Sequence, residues 1–112
     1  MPAPALIKEI LALYGKHGWA LRRMLLTEKT LQELAGSFDE VEKAAFEKDA
    51  AWFSRPSGKN GEAWEIRLLS ETPYALIEVF GPDQNDRERE EIRLGMEQRL
   101  LDTDPVKIDV KS

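Results

Sequence analysis

Four arginines, Arg22, Arg23, Arg55 and Arg67, fall in segments whose composition suits β-strands. A guanidinium grips carboxylate or phosphate through a planar fork of donors, so arginines delivered by neighbouring strands to one place make an anion-binding site. The ordinary role of an arginine on a sheet, solvated or paired with a carboxylate, stands beside that reading. Glu65 and Glu78 are the second candidate for chemistry. A tight hairpin sets them opposite each other beside Arg67, either as an arginine-bridged pair or as an acid and base whose pKa values a pocket would drive apart. The bridged pair needs no pocket and is preferred, so no catalytic residue is assigned.

Other constellations have simpler explanations. His17 is the only histidine and there is no cysteine, which rules out thiolate nucleophiles, disulfides and Cys-based zinc or iron-sulfur centres, and leaves any zinc ligand set short of imidazoles. Neither metal nor cofactor is expected. His17 and Lys16 suit the end of a helix, where positive charge offsets the dipole. Ser57-Gly58-Lys59-Asn60-Gly61 has backbone amides that could cradle a phosphate, but it lies between two strand-like segments and lacks the Walker pattern, so it reads as a hairpin turn. Asp83, Asp86, Glu88, Glu90 and Glu91 could attract a hard cation, yet carboxylates in the first turns of a helix answer its dipole, and Arg87, Arg89 and Arg93 are spaced to neutralise them.

Nucleic acid is the least favoured partner. Two capping boxes, Thr30 with Glu33 and Ser37 with Glu40, separated by Gly36, suggest a pair of short helices comparable to a helix-turn-helix. The second carries Asp39, Glu40, Glu42, Glu47 and Asp49 against Lys43 and Lys48, which phosphates would repel. The formal net charge of the 112-residue chain is -5. Only the basic and aromatic run Tyr14, Lys16, His17, Trp19, Arg22 and Arg23 favours nucleic acid, and a helix end followed by a half-buried strand explains it equally.

The elements that must position these side chains follow from periodicity. Pro4 starts a helix whose Leu6, Ile7, Ile10, Leu11 and Tyr14 form one stripe, closed by Gly15 and Gly18. Residues 19–26 read as a strand, with a short helix the alternative, the two capped helices follow, and residues 51–55, 62–69 and 74–80 form an antiparallel meander. Asp83 or Asp86 caps a last helix, to about Leu101, with Ile92, Met96 and Leu100 inward and Leu94 and Leu101 widening the stripe. The fold expected is α+β: a two-layer sandwich of about four strands with helices packed on one face, in the order α-β-α-α-β-β-β-α. Residues 1–103 form its single domain. Residues 104–112 alternate apolar and polar side chains and read as a tail, either a short terminal strand or an extended segment.

In a tight hairpin Ala75, Ile77 and Val79 pair with Leu68, Ile66 and Trp64 on the core face. Glu65, Arg67, Leu69, Tyr74, Leu76, Glu78 and Phe80 then share the outer face, more apolar than solvent requires, and the first six form the expected interaction surface. The leading expectation is a small noncatalytic interaction module that docks on another protein or pairs with itself as a homodimer. Tyr74, Leu76 and Leu69 would be buried in the contact, with Arg67, Glu65 and Glu78 setting register. The alternative is a binder of, or enzyme acting on, a small anion held by Arg22, Arg23, Arg55 and Arg67. No stretch approaches the 18 apolar residues of a membrane span, no membrane association is expected, and a soluble cytoplasmic setting is the default.

Overall fold

Met24-Leu25-Leu26 and Ala50-Ala51-Trp52-Phe53 are apolar without alternation, and strands of that kind need cover on both faces. The computed structural model, which describes residues 4–70 and 72–102, supplies it. The elements are α1 (Pro4–Lys16), β1 (Ala20–Leu26), α2 (Glu28–Glu33), β2 (Glu42–Ala45), β3 (Ala50–Ser57), β4 (Gly61–Leu68), β5 (Ala75–Phe80) and α3 (Asp86–Asp102). The α+β class is as expected. The sheet has five strands in the order β2-β1-β3-β4-β5, with β2 parallel to β1 and the other pairs antiparallel.

The helices flank the sheet rather than sharing one face. On one side Ile7 and Ile10 of α1, with Leu34 beyond α2, pack on Met24, Leu26, Ala51, Phe53 and Leu69. On the other, Met96 and Leu100 of α3 pack on Leu25, Ala50, Trp52 and Ile66. The single-sided arrangement fails because β1 and β3 send large apolar side chains both ways. Among the described residues no helix is long and apolar enough to cross a membrane. The expected tail, residues 104–112, lies outside the described residues.

The second capped helix is a strand. Gly36 (φ +83°) and Phe38 (φ +55°) adopt left-handed conformations that end helical propagation, and Phe38 packs against the α1-side core. The chain then runs extended beside β1, with Arg23 opposite Glu42 and Leu26 opposite Ala45. No helix-turn-helix exists here. The first capped helix starts earlier than expected. Its cap is Thr27, whose hydroxyl accepts from the Thr30 amide at 3.3 Å, while Thr30 lies buried one turn in. The helix α3 is capped by Asn85 in place of Asp83 or Asp86. The Asn85 side chain accepts from the Glu88 amide at 2.8 Å and the Glu88 carboxylate accepts from the Asn85 amide at 3.0 Å, the reciprocal box that satisfies two otherwise unpaired donors.

The largest departure is one residue of register between β4 and β5. Arg67 faces Ala75, Ile66 faces Leu76, Glu65 faces Ile77 and Trp64 faces Glu78. Leu69 causes it: its amide continues the ladder to β3 by donating to the Asp49 carbonyl at 2.8 Å, and its side chain is buried under α1. The β4–β5 ladder therefore closes one residue earlier on β4, where the Leu68 amide donates to the Tyr74 carbonyl at 2.9 Å. A slip of one residue turns every side chain of a strand to the other face. Ile77 and Val79, expected in the core, are 55% and 56% exposed, while Leu76 joins the α3-side core. Leu94, expected to widen the α3 stripe, is also exposed.

Asp49 ties this framework together. Its carboxylate, almost fully buried, accepts from the Thr27 amide at 2.8 Å and from the Thr30 hydroxyl at 2.7 Å, so the residue before β3 fixes both the cap of α2 and the start of the β4–β5 turn. Asp49→Ala removes the acceptor of the buried Thr30 hydroxyl and of the half-buried Thr27 amide, and at about 1–3 kcal/mol for a fully buried donor and less for the other it should lower stability by roughly 2–4 kcal/mol. Urea unfolding followed by tryptophan fluorescence checks this, with Asp39→Ala, an exposed residue 4.0 Å from Lys43, expected to change stability by about 0.5 kcal/mol or less.

Candidate functional site

A β-bulge decides what β1 presents to the α3 side. Leu21 pairs with Phe53 and Arg23 with Trp52, so two steps along β1 match one along β3 and Arg22 is the extra residue. In an unbroken strand Arg22 and Arg23 would point to opposite faces. The bulge re-aims them, and both line a cleft of about 320 Å³ between the sheet and α3. Its floor is Trp52 and Trp64, its far wall Glu90, Arg93, Leu94 and Glu97 of α3, and its near edge Glu42 of β2.

Inside the cleft most polar groups have partners. Arg23 pairs with Glu42 at 3.7 Å, Trp52 Nε1 donates to Glu97 at 2.8 Å, and Trp64 Nε1 donates to Glu62 at 3.1 Å. Glu62 also takes Arg89 at 3.3 Å. The two indoles meet edge to face, 6.0 Å apart. Glu90 has no such partner among the described residues, and neither do Arg22 and Arg93. Their guanidinium carbons lie 5.4 and 4.6 Å from the centre of the Trp64 ring, and among the described residues neither has a carboxylate within 4.0 Å. Two like charges converge on one indole, and the glutamates that share the cleft form no ion pair with either. The Nε of Arg23, buried, likewise has no hydrogen-bond acceptor among the described residues.

The four arginines expected to act together are thus divided. Arg22 and Arg23 share the cleft. Arg55 donates to the His17 carbonyl at 3.0 Å and lies over Trp19 at 4.7 Å, on the α1 side, where it holds the end of α1. Arg67 donates to the Leu68 carbonyl at 2.6 Å, also on the α1 side. Arg93 completes the cleft and was assigned above only to neutralising neighbours. Its spacing from Arg89, Met96 and Glu97 places it on the inward edge of α3, and that was the available signal.

Phe80, expected on the outer face, is fully buried beneath Arg89 and Arg93 of α3, and the six residues of the expected interaction surface are divided between the two sides. Glu65, Arg67 and Leu69 face α1, and Tyr74, Leu76 and Glu78 face α3, so Glu65 and Glu78 are not a pair. Glu65 accepts a hydrogen bond from the Tyr14 hydroxyl. Tyr14 stacks on Phe53 with ring centres 4.1 Å apart, and beside it Leu13, His17, Trp19 and Glu65 line a shallow hollow of about 260 Å³. Burial, and then the Glu65 carboxylate, push the Tyr14 hydroxyl well above the ordinary tyrosine range, with Arg67 opposing. A phenol so held stays protonated and clamps α1 to β4. It offers no base.

Among the described residues, no three His, Cys, Asp or Glu side chains gather as a metal site. No protein-family model matches the chain, and neither a curated protein nor a solved structure does.

Because the pKa of Tyr14 is higher folded than unfolded, its contribution to stability is complete below about pH 10, the ordinary tyrosine value, and is lost as pH rises beyond it. Stability measured by urea unfolding between pH 8 and 11 should fall more steeply in the wild type than in Tyr14→Phe. At neutral pH Tyr14→Phe should lose about 1.5–3 kcal/mol, the range for a hydrogen bond to a charged group.

Proposed function

We propose that this protein binds a small anion carrying a planar or apolar body, such as an aromatic carboxylate or phosphate monoester, in the cleft between α3 and the sheet. The observation that carries the reading is the convergence of Arg22 and Arg93 on Trp64 with no carboxylate against either. An anion there satisfies two guanidinium forks at once, and its body lies on the Trp52–Trp64 floor beside the exposed Leu94. Arg23, held by Glu42, lines the same cleft.

The glutamates of the walls make the site selective. Glu42, Glu90 and Glu97 balance the three arginines in number, so a compact monoanion or dianion is favoured over an extended polyphosphate, and nucleic acid is disfavoured further by the net charge of -5. The reading is of a noncatalytic binding protein in the cytoplasm and assigns no reaction to the cleft.

Isothermal titration with phenyl phosphate tests it, with benzyl alcohol as the neutral comparison. Phenyl phosphate should bind and benzyl alcohol should not. Arg22→Gln or Arg93→Gln should weaken binding by about tenfold or more, equivalent to roughly 1.4 kcal/mol, and Arg55→Gln on the α1 side should leave it unchanged. Equal binding by a folded Arg22→Gln/Arg93→Gln double variant would contradict the proposal.

A further inference from the structure

The sheet has two edges of different character. At one, β2 is four residues long and carries Glu42 and Lys43, the brevity and charge by which edge strands resist pairing. At the other, β5 extends over six residues without proline, lysine or bulge, and among the described residues it pairs with β4 alone. Its α1-side face, Ala75, Ile77 and Val79, is exposed along its length. The helix α1 does not cover this part of the sheet.

The direction of the free backbone groups follows from the ladder. The Leu68 amide donates to the Tyr74 carbonyl, which makes Leu68 and Tyr74 a hydrogen-bonded pair. In antiparallel strands such pairs alternate with non-bonded ones, so Leu76, Glu78 and Phe80 turn their amides and carbonyls towards β4. Ala75, Ile77 and Val79 turn theirs outward. Among the described residues, none of these outward groups has a hydrogen-bond partner.

We infer that β5 is the docking edge for a second copy of this chain, pairing antiparallel about a two-fold axis at Ile77. A two-fold perpendicular to the sheet keeps each face on its own side, so a residue can meet only a residue of like parity. Centring on Ile77 matches Ile77 with its counterpart and Ala75 with Val79, and it uses every outward donor and acceptor of the three residues. The only charge in the strand decides among registers. Centring on Glu78 would set two carboxylates against each other, which is destabilising, whereas centring on Ile77 sets Glu78 against Leu76 of the other copy. Centring on Leu76 leaves Val79 opposite Pro73, which has no amide to donate. The result is an isologous contact that joins two five-stranded sheets and merges their exposed apolar strips into one surface. It uses none of the cleft arginines, so it stands or fails apart from ligand binding.

Sedimentation of the full chain between about 1 and 100 μM, the span of moderate affinities, should show a concentration-dependent dimer. Ile77→Lys should raise its dissociation constant at least tenfold, while Leu94→Lys, also exposed but on α3, should not. A sharper test exploits the absence of cysteine. Residues in a bonded antiparallel pair have Cα atoms about 5.5 Å apart, within disulfide reach, so Ile77→Cys oxidised with copper phenanthroline should form a covalent dimer rapidly. Glu78→Cys, whose counterpart lies on a diagonal, should form it slowly. A wild type monomeric over the whole range, as when another segment or a different protein covers the edge, would overturn the inference. A dimer unaffected by Ile77→Lys, or one cross-linked faster by Glu78→Cys, would do so equally.

Discussion

The structure depends on a sheet whose central strands are apolar on both faces. A helix with its side chains is about 10 Å across and strands lie about 4.8 Å apart, so one helix covers roughly two strands. Five strands with one long helix on each side therefore cannot be fully covered. The helix α1 lies against β1 and its neighbours, and α3 lies against β4 and β5. What remains is a cleft beside α3 over β1–β4 and an uncovered strip beside α1 over β4 and β5. Both surfaces with functional promise are consequences of this incomplete cover, on opposite sides of the sheet.

Within that frame the chemistry of the cleft rests on the bulge in β1. A regular strand would spend one of two consecutive arginines on each face, and the α1 side, where Met24 and Phe53 are buried, has no use for a second guanidinium beside Arg55 and Arg67. The bulge removes that conflict and puts both charges where Trp52 and Trp64 form an aromatic floor. Indoles whose N–H groups are already committed to Glu97 and Glu62 present mainly their π faces, which suit guanidinium groups and planar ligands alike.

Local pattern made much of the fold legible. The first helix, the strand at 19–26, the meander and the last helix follow from apolar spacing and turn chemistry, and the hairpin at 57–61 does form, with Gly58 and Asn60 at positive φ. The failures lie where long-range contacts outweighed local ones. Ser37 and Glu40 have the form of a capping box, but pairing with β1 drew residues 42–45 into a strand. The β4–β5 register followed from a buried Leu69 and its bond to Asp49, and neither shows in the hairpin sequence. That single residue of slip exchanged the faces of β5 and with them the expected interaction surface. Of the candidate site, Arg22 and Arg23 were legible as arginines on a strand. Their common direction was not, because no composition rule marks a bulge, and Arg93 was hidden among the carboxylates of an exposed-looking helix.

The three tryptophans allow the central claim to be read directly. Trp52 and Trp64 floor the cleft and Trp19 lies on the α1 side, so a ¹H–¹⁵N spectrum of the indole groups during addition of phenyl phosphate reports the two faces separately. Saturable shifts of the Trp52 and Trp64 indole signals, with Trp19 unmoved, are the result this account predicts. A shift confined to Trp19, or no saturable shift at any of the three, would contradict it.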